Sequence, residues 1–427
     1  MNAVSGRRMN ETVTRRGGLT VLPQDIPYEV LEKIIKHIKN CHTFYETALT
    51  LSPQNTINEA LNIIHKRAHG AIIIVDDKQK PVGIFTEDDA AGSDRFTALE
   101  NVMTSELIVI DSQLKPKEVF DILQQNRLSV APVVSNGKLV GAVTLKGTVR
   151  SEIYKPALDK DGKLLVATAL GINGDVAAGA QKLLEIGTDI LVLDTAHGHQ
   201  AKMINAIKTV RSISKHVLLV AGNVVSAEAV KQLVAAGADV VKVGIGPGAM
   251  CTTRMMTGVG RPQFSAVLEC SDAAHKLGAA VWADGGIRYP RDVALALAAG
   301  ADNVMWGSMW AGTYESPGDV HIDAKGRLYK QNFGMASRRA VKNRNKQSAL
   351  FERHKKEFFE EGISSSKYYL DPDRPSAEDI IDYITAGIRS SFAYAGAKDL
   401  KEFHQKAIVG IQSAAGYQEG MALENNW

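Results

Sequence analysis

From residue 163 onward the chain repeats one small grammar: a short apolar run, a polar or glycine turn, then an amphipathic segment. The runs are "LLVATAL" (164–170), "DILVLD" (189–194), "VLLVAG" (217–222), "VVKVG" (240–244), "AAVWADGG" (279–286) and "NVMWGS" (303–308). Between them stand segments such as "DVAAGAQKLLEIG", "SAEAVKQLVAAG" and "RDVALALAAG", each closing on a glycine as helix C-termini often do. Apolar strands separated by helices are buried on both faces, which means repeated βα units and a parallel sheet. Six units in series, each ending in a polar or glycine loop, predict a closed (β/α)8 TIM barrel rather than an open sheet.

A further βα pair stands at the start: a helix over residues 7–16, then a strand in "GLTVLP". That makes seven strands. The eighth is expected to precede residue 1, so the first barrel strand is expected to be missing from this chain, which would leave strand edges unpaired.

Residues 44–148 follow a different rule. "LSPQNTINEALNIIHKRAHGAIIIVDDKQKPVGIFTEDD" aligns with "IDSQLKPKEVFDILQQNRLSVAPVVSNGKLVGAVTLKG" at an offset of 58–59 residues. Each copy reads as a helix, a short apolar strand, a turn at "DDKQKP" or "SNGK", and a second strand. Two copies suffice for a pseudo-symmetric pair to bury a shared core. They resemble cystathionine-β-synthase-type (CBS) repeats, and that resemblance implies a paired cleft for an adenine or guanine nucleotide, ATP or GTP; the plainer reading is a helix–sheet spacer.

Bulk properties narrow the function. A formal net charge of +3 over 427 residues argues against a dedicated nucleic-acid binder. The basic stretch "RRAVKNRNK" (338–346) reads first as a solvated face. Three cysteines, Cys41, Cys251 and Cys270, form no CxxC and no tight Cys/His spacing, which speaks against zinc and a disulfide framework. No apolar run approaches about 18 residues and the N-terminus has no apolar signal core, so a cytoplasmic protein with no membrane partner is expected.

The loops after the strands form the active face of such a barrel. They carry Asp194, Gly222 and Asn223, the loop "GIGPGAMCTTR", Asp284, Gly285 and Gly286, and Gly307 and Ser308; "FGMAS" (333–337) follows. Successive glycine loops and a serine present backbone N–H groups at one rim, as a phosphate monoester requires. Asp284 stands where it can accept from ribose hydroxyls. Cys251 is either a small apolar residue in a turn or a nucleophile aimed by its loop. A free thiol, with a pKa of about 8.5, must be activated, and an N–H-rich loop stabilises the thiolate.

"GIGPGAMCTTRMMTGVGRPQ", "ADGGIR", "MWGSMWAGTYESPG" and "FGMASRRA", in this order, are similar to the signature segments of the IMP dehydrogenase / GMP reductase family. The resemblance covers nearly the whole chain. It implies the N-terminal part of a barrel over 1–40, tandem CBS repeats over 41–150, and the remaining barrel, active-site flap and C-terminal segment over 151–427. By the same resemblance Cys251 is the nucleophile toward purine C2, while Asp284, Gly285, Gly286, Gly307, Ser308, Gly334 and Met335 hold the nucleotide. Asp194 lies by the nicotinamide, and carbonyls of Gly246, Gly248 and Cys251, joined by Arg254, hold a potassium ion. A homotetramer or homo-octamer is implied as well.

Two activities share the covalent thioimidate. The dehydrogenase oxidises IMP with NAD and hydrolyses the intermediate to XMP, using an Arg-Tyr pair on a flap; the reductase releases ammonia from GMP and reduces the intermediate to IMP with NADPH. Residues 333–365 contain no Arg-Tyr dipeptide, and Arg353 is followed by His354. "FGMAS" is closer to the reductase wording than to the dehydrogenase one, although Asn332 stands where the dehydrogenases place a tyrosine. Thr253 and Glu361 occupy the positions of the reductase proton-transfer pair. "GIRSSFAYAGAKDL" resembles a reductase segment and implies dinucleotide contacts at Ser390, Ser391 and Tyr394, reaching from a neighbouring subunit. The expectation is a CBS-containing GMP reductase. IMP dehydrogenase is the rival of the same class, and a non-catalytic CBS nucleotide sensor the rival of another.

Overall fold

The first helix, Arg7–Arg15, turns its Met9 and Val13 inward and stops where Gly17 takes a left-handed φ of 86°. A computed structural model describes residues 3–333, 351, 363 and 365–421. Strand β1 (Val21–Leu22) follows, then helix Tyr28–Asn40, whose Leu31, Ile35 and Ile38 recur at helical spacing and are buried. Each such burial contributes about 1.5–3 kcal/mol.

The chain then leaves the barrel for the repeated unit. Its first copy runs β2 (Thr50–Leu51), helix Ile57–Ile64, β3 (Ala71–Val75) and β4 (Pro81–Thr86); its second runs β5 (Ile110–Asp111), helix Pro116–Gln125, β6 (Val130–Ser135) and β7 (Lys138–Thr144). In both, the short first strand pairs parallel and the third antiparallel to the middle one, giving two sheets of identical order. Helix Leu145–Ile153 leads out, capped by the Thr144 hydroxyl, which accepts from Gly147 N at 2.9 Å.

Back in the barrel, β8 (Ala167–Leu170), β9 (Ile190–Asp194), β10 (Leu218–Val224), β11 (Val240–Val243), β12 (Ala280–Asp284) and β13 (Asn303–Met305) join β1 in one parallel sheet. The order β1-β8-β9-β10-β11-β12-β13 follows the chain, as in a (β/α)8 barrel, and the sheet curls with β1 and β13 as its edges. Two apolar clusters fix it. Leu191, Leu219, Val241 and Val281 face the surrounding helices, while Ala167, Ile190, Val192, Val220, Val240 and Trp282 fill the inside. An antiparallel sheet of β14 (His321–Ile322), β15 (Leu328–Asn332) and β16 (Ser366–Tyr369) follows, then helices Ala377–Ala395, Leu400–Lys406 and Ala414–Glu419. Among the described residues no helix is long and apolar enough to cross a membrane.

Two buried ionic knots fasten the repeated unit to the barrel. Glu11 takes Arg15 at 2.7 Å and Arg67 at 2.5 Å and accepts from Thr47 N and Oγ1 at 3.0 and 2.9 Å. On the other side Arg150, in the exit helix, meets Glu378 at 2.8 Å, Asp379 at 2.5 Å and Asp382 at 2.7 Å, and Arg16 meets Glu378 at 2.6 Å. Glu11 and Glu378 are both held below the usual carboxylate range: burial pushes upward, and the guanidinium neighbours outweigh it.

Candidate active site

Strand β11 ends at Val243, and the next eight residues carry the chain to Cys251. The loop is stapled along its length. Cys251 N donates to Gly248 O at 2.9 Å, Arg261 N donates to Ile245 O at 3.3 Å, and the Arg254 guanidinium donates to the Arg261 carbonyl. Gln263 then donates one amide to Val243 O at 2.9 Å and Asp284 O at 3.2 Å, tying the ends of β11 and β12 together. The "ADGG" turn lies directly against this loop, since a Cβ on Gly285 would stand 3.1 Å from Gly248 N.

Cys251 is exposed, and its thiol donates to Thr253 Oγ1 at 3.2 Å. The other two cysteines are different in kind. Burial pushes the Cys270 thiol up to about 12 and that of Cys41 up to about 11, and both are inert at neutral pH.

Beneath the loop lies a polar floor. Lys242, only 4% exposed, reaches Asp284 Oδ2 at 2.5 Å and Asp194 Oδ1 at 2.9 Å. Burial alone would lower its pKa; Asp194 and Asp284 together hold it above the ordinary lysine value, so the ammonium is kept charged. Asn223 donates from Nδ2 to Gly244 O at 2.7 Å and to Asp284 Oδ2 at 3.0 Å, and its buried Oδ1 has no donor among the described residues. At the rim, Ser308 opens the short helix Ser308–Ala311 after Gly307, with its hydroxyl 3.4 Å from Ile287 O, and Gly285 N donates to Met305 O at 2.9 Å. An exposed thiol on a glycine loop, a hydroxyl beside it and carboxylates at two strand ends suit covalent addition to a polar heterocycle whose sugar bears hydroxyls.

The "IMP dehydrogenase / GMP reductase domain" matches residues 1–422. The chain belongs to the IMP dehydrogenase / GMP reductase family. The protein named GMP reductase from Mycobacterium tuberculosis (strain ATCC 25618 / H37Rv) is 51% identical over 100% of this chain and 89% of its own length. An inosine-5'-monophosphate dehydrogenase of Staphylococcus aureus (strain NCTC 8325 / PS 47) is 38% identical over 98% of this chain and 86% of its own. Among solved structures, a cysteine-to-alanine GMP reductase from Trypanosoma brucei in complex with guanosine 5'-monophosphate superposes with a TM-score of 0.69 at 32% identity, covering 100% of this chain and 89% of that one.

Within this family member, the residues singled out by sequence fall in several places. Cys251, Thr253, Gly246, Gly248 and Arg254 share one stapled segment, and Asp194, Asp284, Gly285, Gly286, Gly307 and Ser308 stand at or just beyond the ends of β9, β12 and β13 in the same sheet. Ser390, Ser391 and Tyr394 are elsewhere in the single chain, on helix Ala377–Ala395, which packs against the outer helix Pro290–Ala298. Ser391 Oγ donates to Gly387 O at 3.0 Å, and Tyr394 is 89% exposed. Gly334, Met335, Glu361 and the basic stretch 338–346 lie outside the described residues. Asn332 is a packing residue, buried with Oδ1 accepting from Phe333 N at 2.8 Å. Sequence reasoning missed Lys242. The available signal was a lone lysine inside the apolar run "VVKVG", at a position two residues beyond an inward-facing valine.

Proposed function

We propose that the protein is a GMP reductase, converting GMP to IMP and ammonia with hydride from NADPH, through a covalent intermediate on Cys251. The observation that carries the reading is the exposed Cys251 thiol hydrogen-bonded to Thr253 at 3.2 Å on the stapled loop. Two further facts favour the reductase over the dehydrogenase: the 51% identity to a GMP reductase against 38% to an IMP dehydrogenase, and the lack of an Arg-Tyr pair over 333–365.

The Cys251 thiolate adds to C2 of the purine, and the ring nitrogen takes up a proton. The tetrahedral adduct expels the protonated amine as ammonia, leaving a thioimidate. The Thr253 hydroxyl, poised beside Sγ, relays a proton toward the departing amine with Glu361 behind it. The dinucleotide, when bound, supplies the hydride that reaches C2; the C–S bond then breaks, returning the Cys251 thiolate and releasing IMP. Asp284 accepts from the ribose hydroxyls, and Gly285, Gly286, Gly307, Ser308, Gly334 and Met335 hold the rest of the nucleotide. Asp194 lies on the dinucleotide side, and Ser390, Ser391 and Tyr394 reach the dinucleotide of a neighbouring subunit. That assignment suits their place on an outer helix, and it makes a homotetramer or homo-octamer the working assembly.

Main-chain carbonyls of Gly246, Gly248 and Cys251, with Arg254 contributing beside them, would hold a potassium ion. Uncharged oxygens suit a weakly hydrated monovalent cation, and the ion would keep the cysteine loop in one arrangement. The repeats within 41–150 are a CBS pair that takes ATP or GTP.

The test is direct. Purified protein with GMP and NADPH in potassium buffer should consume the reduced dinucleotide, and Cys251→Ser should abolish this while GMP binding stays within about threefold. Turnover of IMP with NAD but not of GMP with NADPH would overturn the proposal in favour of the dehydrogenase. Binding of ATP or GTP with neither turnover would make the protein a sensor.

A further inference from the structure

Side chains two apart on a strand share a face, so each inward residue of the barrel core predicts the next one above it. Val192, Val220, Val240 and Trp282 lie in one buried apolar cluster. The residues two further along are Asp194, Gly222, Lys242 and Asp284, and they form a charged layer resting on that apolar one. Gly222 is in register with Asp194 on one side and Lys242 on the other. It contributes no side chain to the layer: a Cβ there would meet Lys242 O at 2.5 Å and Lys242 Cβ at 2.6 Å. Lys242 is therefore free to cross the layer and touch both carboxylates, at 2.9 and 2.5 Å.

We infer that Lys242 is a positioning residue that joins the purine-nucleotide half-site at Asp284 to the dinucleotide half-site at Asp194 through one buried ammonium. The inference rests on the roles given to those two aspartates above. A carboxylate that must accept from ligand hydroxyls has to be ionised and aimed. Lys242 supplies the counter-charge for both, and Asn223 adds a second donor to Oδ2 of Asp284, which leaves Oδ1 for the ligand. Neutralising either aspartate changes how the ammonium divides itself between the two. Neither site is then independent of the other, although they stand on different strands.

Three variants test this by calorimetric binding of GMP and of NADP and by steady-state kinetics. Lys242→Met should weaken both ligands by about tenfold, the scale of one lost charged hydrogen bond, and raise both KM values with a smaller change in kcat. Lys242→Arg, which keeps the charge, should recover most of both affinities. A folded Lys242→Met with either affinity unchanged refutes the inference, as does a Lys242→Arg no better than Lys242→Met. Should Lys242→Met not fold, Asp194→Asn decides: it should shift GMP affinity by about threefold or more, and an unshifted GMP affinity refutes the shared ammonium. Wild-type protein that turns over GMP while these variants behave otherwise overturns only the inference. Wild-type protein that binds no GMP overturns the functional reading and this inference with it.

Discussion

Glu11→Gln isolates the value of the knot that fastens the repeated unit to the first helix. Glu11 and Arg15 side chains have no exposure and that of Arg67 has 3%. The carboxylate serves two guanidinium groups and two Thr47 donors at 2.5–3.0 Å. Glutamine keeps one acceptor, turns an N–H2 toward a guanidinium that only donates, and leaves two buried cations with one fewer negative neighbour. Removing one partner from a buried pair costs about 3–5 kcal/mol, which lowers the folding equilibrium constant by roughly 10²–10³ or more. Urea unfolding at about pH 7, followed by circular dichroism, reads this as a fall in midpoint with unchanged slope. The pH dependence fixes the sign. Because the folded pKa of Glu11 is depressed, its contribution is complete above the unfolded value of about 4.3 and is lost as pH falls toward the folded value. The gap between wild type and variant should therefore shrink as the medium is acidified below about pH 4.3. A loss under about 1 kcal/mol at neutral pH, or a gap that ignores pH through this range, would refute the reasoning.

Thr253→Val removes the hydroxyl beside Cys251 and should slow ammonia release by about 10²-fold with GMP affinity preserved; an unchanged single-turnover rate removes Thr253 from the proton path. Limiting iodoacetamide should label Cys251 alone, because thiols held at about 11 and about 12 by burial are ionised at neutral pH in only about one molecule in 10⁴ or fewer. Peptide mass spectrometry reads the result, and equal labelling of Cys41 or Cys270 would contradict it.

The barrel was legible because strands covered on both faces leave continuous apolar runs, and their ends shifted for visible reasons. "LLVATAL" shortens to Ala167–Leu170 because Val166 N is claimed by Asp189 Oδ2 at 2.7 Å, and "NVMWGS" stops at Met305 because Trp306 turns to stack on Trp310 at 5.0 Å. Cys251 and Thr253 were legible because they are neighbours in sequence. Lys242 was not, since its partner Asp284 is 42 residues away and only the pairing of β11 with β12 brings them together. The same holds for Arg16 and Glu378, separated by 362 residues. Sequence periodicity reports which face a residue takes, and says nothing about which distant residue shares that face.

Helix Ala377–Ala395 spans 19 residues, a rod of about 28 Å. Near its start, Glu378, Asp379 and Asp382 grip Arg150, and Asp382 and Thr385 meet the Tyr154 hydroxyl at 2.8 and 2.9 Å. Tyr394 stands 12 residues beyond Asp382, about 18 Å along the same rod. An α-helix neither shortens nor stretches under small loads, so it behaves as a lever. A tilt of the exit helix Leu145–Ile153 loads the near end of this arm through Arg150 and Tyr154, while packing on helix Pro290–Ala298 resists the movement. Tyr394 therefore stands on an arm tied near one end to the inserted module and along its length to the barrel's outer helix Pro290–Ala298.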